Sequence, residues 1–99
     1  MKKQKRSLFL LTLNECNGEY EYTHIGLIEA ACQKEANVTA ERIAKRWYDD
    51  EYDEDDGVYF FHHFTVSVAV ADITFVAAED ADALRRHLPM WDKEPYLCK

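Results

Sequence analysis

The chain has 99 residues, of which 47% are hydrophobic, and this composition is typical of one small globular domain with a modest core. Residues 1–6 supply four of the twelve basic side chains, so the remainder carries eight basic side chains against nineteen acidic ones. Such a body repels phosphate backbones, which excludes direct nucleic-acid binding by the folded part. Three scattered cysteines without a Cys-x-x-Cys pair, and no apolar segment long enough to span a bilayer, predict a cytoplasmic protein with no membrane contact.

The N-terminal third predicts a β-hairpin that follows a basic tail of residues 1–6. Ser7–Leu13 has apolar residues on both faces, which is typical of a central strand. Asn17-Gly18 follows, and Asn-Gly between two strand-like segments predicts a tight turn. The second strand is expected from Tyr20 to about Glu29.

A helix is predicted from about Gln33 to Asp49, because its apolar residues repeat at helical spacing. That stripe consists of Ala36, Ala40, Ile43, Ala44, Trp47 and Tyr48. The next segment, residues 49–57, is interpreted as a solvated acidic loop closed by Gly57, since dense like charges disfavour a helix interior or a sheet.

Two further strands and a helix are predicted in the C-terminal half. Val58–Phe61 forms a short strand, and Phe64–Val76 forms a long one in which the apolar positions change parity at Asp72, indicating a bulge or a break. A helix over Glu79–Leu88 has acidic residues in its first turn and basic residues in its last. Residues 89–99 are expected to be an irregular tail.

These elements predict a single α+β domain over residues 1–99, in the order β-β-α-β-β-α. The simplest arrangement that buries the apolar stripes is a four-stranded antiparallel sheet with two helices on one face.

Few residues carry a pattern typical of catalysis or metal binding. The acidic segment lacks the ligand spacing of an EF-hand, which leaves only a weak divalent site as an alternative. His62 and His63 are interpreted as polar residues at a turn. The sequence contains no nucleophile motif and no phosphate-binding glycine loop, so it predicts neither catalytic residues nor a cofactor.

The remaining hypothesis is a small non-enzymatic interaction or regulatory domain that acts through its acidic loop and an aromatic surface. Its partner is expected to be a protein, either basic or nucleic-acid-binding, and a homodimer is a further expectation. Two alternatives stay open: a nucleic-acid-mimicking inhibitor, of the kind that phages and mobile elements encode, and a small metal-dependent enzyme. The residues assigned to partner binding are Asp53, Glu54, Asp55, Asp56, Tyr59, Phe61, His62 and His63.

Overall fold

The computed structural model describes residues 6–48, 50–62 and 64–91. Its elements along the chain are β1 (Ser7–Asn17), β2 (Tyr20–Ala30), α1 (Gln33–Lys45), β3 (Tyr52–Asp55), β4 (Val58–Phe61), β5 (Val66–Val76) and α2 (Ala78–His87). The strands form one antiparallel sheet in the order β2-β1-β5-β4-β3. The predicted α+β class is confirmed, but the sheet has five strands rather than four. Neither helix is long and apolar enough to cross a membrane within the described ranges.

The additional strand lies in the segment predicted as an acidic loop, and that prediction is wrong for Tyr52–Asp55. These residues pair with β4, and the two-residue turn between the strands consists of Asp56 (φ 51°) and Gly57 (φ 80°). Two positive φ values are characteristic of a type I′ hairpin, for which Asp-Gly is a preferred sequence. All four β3 residues are exposed at the sheet edge, so solvent weakens the repulsion between the carboxylates.

The two helices lie on opposite faces of the sheet, which corrects the prediction that both cover one face. Adjacent strand residues point to opposite faces. Phe9 packs in the cluster that contains the buried side of α1, whereas its neighbour Leu8 packs with α2. β1 carries large apolar side chains on both faces, so a single helical layer would leave one set in water. The two faces are called the α1 face and the α2 face.

The long strand β5 contains the bulge that the parity change at Asp72 predicts. Its register with β1 shifts where Leu13 pairs with Val70 and Thr12 pairs with Asp72, which leaves Ala71 without a partner in β1. The extra residue restores the apolar alternation on the α1 face, where Ile73 packs against the core.

Part of the predicted irregular tail is an ordered extension of the sheet edge. The Leu27 N–H donates to the Pro89 carbonyl at 2.9 Å, and the Trp91 N–H donates to the Leu27 carbonyl at 2.7 Å. The buried Trp91 indole lies over Gly26, where a Cβ atom would overlap the ring. Residues 92–99 of the predicted tail, and residues 1–5 of the predicted basic tail, lie outside the described residues.

On the α2 face, α2 covers only the end near Leu8, Leu27 and Val76. Two cross-strand rows lie beyond this covered end, and together they are called the open face. The rows, read from β2 to β3, are Glu21, Cys16, Ser67, Phe60 and Asp53, then Thr23, Asn14, Ala69, Val58 and Asp55.

Candidate functional site: an acidic–aromatic cleft

The carboxylates assigned to partner binding surround the β3–β4 hairpin and are all exposed. Asp53 and Asp55 lie on the open face, Asp56 is in the turn, and Glu54 is on the α1 face opposite Tyr59. Glu54 therefore points to the opposite side of the sheet from Asp53 and Asp55, and the four residues do not form one patch.

Tyr59 and Phe61 belong to the core, which corrects their assignment to an aromatic partner surface. They are 2% and 1% exposed, because alternate residues of β4 point beneath α1. The exposed rings next to the β3–β4 hairpin are instead those of Phe64 and Tyr52. Of the two assigned histidines, His62 is exposed and His63 lies outside the described residues.

A pair of phenylalanines forms a ridge at the end of the sheet where β4 turns into β5. The Phe60 and Phe64 ring centroids are 5.2 Å apart, and Phe64 is 63% exposed. On one side of this ridge lies a depression of about 220 Å³, which is called the acidic–aromatic cleft. Its lining includes the acidic residues Asp50, Glu51 and Asp53, the Phe60–Phe64 ridge, and Tyr52, whose ring packs against Tyr59 and Phe61 on the α1 face.

His62 ties the turn after β4 to the segment before β3. Its Nδ1 atom lies 3.1 Å from Asp50 Oδ2, and both side chains are about half exposed. An ion pair of this kind contributes about 0–1 kcal/mol to stability. The His62 ring also packs against Tyr48 at a centroid distance of 5.2 Å. These contacts hold the two walls of the cleft together.

The turn that presents Phe64 has an unfavourable backbone conformation. His62 (φ 53°) and Phe64 (φ 70°) both occupy the left-handed region, although neither is glycine. Each such residue costs about 1–2 kcal/mol relative to the right-handed region. Strain of this kind is concentrated at functional sites. Here the strained turn holds the Phe64 ring in solvent, so burial of that ring does not offset the conformational free energy of the turn.

A second depression, of about 380 Å³, lies on the other side of the ridge. Phe60 and Phe64 form its shared wall, and neutral groups, including the Cys16 thiol and the Thr65 and Ser67 hydroxyls, complete its lining. The ridge therefore separates an acidic pocket from a neutral one. A bound segment that crosses it meets two chemically distinct surfaces.

The electrostatics of the cleft follow from the placement of charge along the sequence. Residues 7–30 carry four carboxylates and residues 52–76 carry five, and neither segment contains a lysine or arginine. These two segments supply all five strands. Carboxylates attract a cation directly, and aromatic faces attract it through their quadrupole. The cleft is thus chemically suited to a guanidinium or ammonium group.

A buried hydrogen-bond network that the sequence reasoning missed lies on the α1 face. Glu15 is 6% exposed and accepts hydrogen bonds on both carboxylate oxygens, from His24 Nε2 at 2.7 Å and from the Tyr48 hydroxyl. Burial, reinforced by the neighbouring Glu15, raises the pKa of Tyr48 to about 12. The Trp47 ring covers His24 at a centroid distance of 4.8 Å. The network joins the β1–β2 hairpin to the segment that follows α1.

A second tyrosine–glutamate pair ties α1 to β4. The Tyr59 hydroxyl donates to Glu41, and burial followed by this hydrogen bond raises the pKa of Tyr59. Both networks pair their polar groups internally, so we interpret them as structural.

The hairpin turn contained a signal for the Glu15–His24 contact. A two-residue turn at Gly18 and Glu19 sets the register that pairs Glu15 with Tyr22. His24 is then the diagonal neighbour of Glu15 on the same face, within reach of a long side chain. The contribution of Tyr48 had no such signal, because it depends on where the chain turns after α1.

The described residues contain no group of three or more histidine, cysteine, aspartate or glutamate side chains placed to hold a metal ion. Alternation along β3 sends its carboxylates to opposite faces, and this separates potential ligands. Comparison with known proteins gives no match to a family model, to a curated protein or to a solved structure. The function is therefore argued from the site alone.

Proposed function

We propose that this protein is a small non-enzymatic interaction domain that binds a positively charged segment of a partner protein in the acidic–aromatic cleft. The observation that supports this most strongly is the convergence of Asp50, Glu51 and Asp53 on the exposed Phe60–Phe64 ridge. An acidic surface alone serves solubility. A strained turn that exposes a phenylalanine beside that surface offers a binding group as well.

The expected affinity of a single basic side chain is low. A cation over an exposed ring gains about 0.5–1 kcal/mol, and a surface ion pair gains about 0–1 kcal/mol. Useful binding therefore requires several contacts, with one arginine or lysine in the cleft and flanking residues on the open face. Asp53 and Asp55 extend the negative charge along that face. Such an interface associates quickly and weakens as salt is added.

Nucleic-acid mimicry is the second candidate function, and the uniform sign of the sheet favours it. The strands carry carboxylates without a single lysine or arginine, a charge pattern that a nucleic-acid-binding groove attracts. In this case the partner is a nucleic-acid-binding protein, and an oligonucleotide duplex should compete with the domain for it. Competition at constant ionic strength separates this function from binding to a basic segment that has no affinity for nucleic acid.

We place the domain in the cytoplasm. Cys16 and Cys32 are free thiols, and Cys32 is exposed, which suits a reducing compartment. The charge of the open face is compatible with the basic segments of many intracellular proteins.

The direct test uses two fluorescent peptides, one of alternating arginine and glycine and one in which citrulline replaces each arginine. We expect the arginine peptide to bind and the citrulline peptide, which has the same shape but no charge, not to bind. Phe64→Asn should weaken arginine-peptide binding by about two- to fivefold. Asparagine tolerates the left-handed region, so this variant should fold normally. Equal binding of both peptides, or wild-type affinity in Phe64→Asn, would refute the proposal.

A further inference from the structure

β5 is the central strand of the sheet, but one side of its second half is paired with no described strand. β4 has four residues and pairs only with Val66–Ala69. Beyond that point β5 continues to Val76, paired with β1 on one side and with no described strand on the other. The bulge at Ala71 leaves Asp72–Val76 as the regular part of this edge.

This edge differs in charge from the outer edge of β3. The outer edge of β3 carries Asp53, Glu54 and Asp55, and such charge protects an edge against pairing. The free half of β2 has one acidic residue, Glu21, and exposes Tyr20 and Tyr22, while its other half is paired with residues 89–91 at Leu27. The Asp72–Val76 edge likewise has one charged residue, at its end, and it exposes Phe75 by 59%.

We propose that two copies of this chain pair their β5 edges antiparallel about a two-fold axis at Thr74, forming one continuous sheet of both copies. In this register Ile73 lies opposite Phe75 of the second copy, on the α1 face. A β-branched residue facing an aromatic one is a favourable cross-strand pair. Asp72 lies opposite Val76 of the second copy, so the two aspartates occupy opposite ends of the interface.

A second copy is the occupant that we infer for this edge, because the favourable Ile73–Phe75 pair then forms twice about the axis. The same short segment supplies both members of each apolar pair, and Thr74 meets its own symmetry mate at the centre. The two-fold axis is perpendicular to the sheet, because paired residues of an antiparallel ladder share a face. Both open faces therefore lie on one side of the dimer, which presents two acidic–aromatic clefts in the same direction.

The experiment introduces a positive or a negative charge at the exposed Thr74. Sedimentation velocity then measures the oligomeric state of each variant. Wild type should show a monomer–dimer equilibrium. Thr74→Lys and Thr74→Glu should each raise the dimer dissociation constant about tenfold or more, since two like charges meet on the axis. Mixing the two variants should restore a heterodimer, which a merely unfolded variant does not do. Circular dichroism on each variant verifies the fold.

The matched control is Thr23→Lys, at another exposed threonine, on the half of β2 that no described strand pairs on its outer side. It should leave the dimer intact. A wild type that is monomeric at its highest soluble concentration would overturn the proposal. So would a mixture that fails to associate, or a dimer that Thr23→Lys breaks and Thr74→Lys does not. None of these results bears on binding to the cleft, which the arginine peptide tests separately.

Discussion

Asp53 lies directly opposite Phe60 in the β3–β4 ladder, so an edge carboxylate and a ring of the aromatic ridge share the open face. The next residue, Glu54, lies opposite the buried Tyr59 on the α1 face. Two adjacent carboxylates on one exposed strand thus have different neighbours. Because of this alternation, the carboxylates of one short acidic segment face two different sides of the sheet.

The hairpin turn can be tested at Gly57, whose φ of 80° lies in the left-handed region. Gly57→Ala should lower the free energy of unfolding by about 1–2 kcal/mol, because alanine is disfavoured there. Gly57→Asn should cost less, since asparagine suits type I′ turns. Urea denaturation measures both. If residues 52–57 formed a flexible loop, the alanine variant would be as stable as wild type or more stable.

The docking of residues 89–91 can be tested at Gly26. Gly26→Ala should displace the Trp91 indole and destabilise the protein by about 1–3 kcal/mol, the usual cost of overpacking. Tryptophan fluorescence should shift to longer wavelength as the ring becomes exposed. The same substitution in a Trp91→Ala background should cost much less, because the ring that it displaces is gone. Equal costs in the two backgrounds would show that Trp91 does not cover Gly26.

The burial of the Tyr48 hydroxyl, together with its hydrogen bond to Glu15, should make stability depend on pH in the alkaline range. The pKa of Tyr48 is raised from 10.0 to about 12 in the folded protein, so the folded state retains this proton where the unfolded chain has released it. The contribution is complete below about pH 10 and is lost progressively as pH rises to about 12.

Tyr48→Phe isolates this contribution. At neutral pH it should cost about 1–3 kcal/mol, because one oxygen of the buried Glu15 loses its donor. The stability difference between wild type and the variant should narrow as pH rises through the alkaline window. Urea denaturation at a series of pH values measures this difference. A constant difference across the window would argue against the raised pKa of Tyr48, and Tyr20→Phe, at an exposed position, serves as the control.

Local pattern predicted most of the fold correctly. The apolar segment Ser7–Leu13 and the Asn-Gly signal predicted the hairpin of β1 and β2, although its turn lies at Gly18 and Glu19. Helical spacing predicted α2 and also α1, which ends at Lys45 rather than near Asp49. The parity change at Asp72 predicted the bulge in β5. β3 was missed because charge density was given more weight than the Asp56-Gly57 turn signal. That turn favours a hairpin strongly, and repulsion at an exposed edge is weak.

The arrangement of the site depends on information that no local pattern contains, whereas the sequence of β1 partly indicates the arrangement of the helices. Leu8 and Phe9 indicate a strand buried on both faces, which already argues against one helical layer. The register of β4 with β5 decides that Phe61 is buried beneath α1 and that Phe60 lies on the open face. The exposure of Phe64 depends on a left-handed backbone that its residue type does not predict.

The most direct test of the proposed cleft compares Asp53→Asn with Glu54→Gln in binding the arginine peptide. The two variants remove the same charge from adjacent residues of β3, so the overall field of the protein changes equally. We expect Asp53→Asn to weaken binding by about two- to fivefold and Glu54→Gln to leave it close to wild type. Equal losses in both variants would contradict this expectation, because they would show attraction to net charge rather than binding in the cleft.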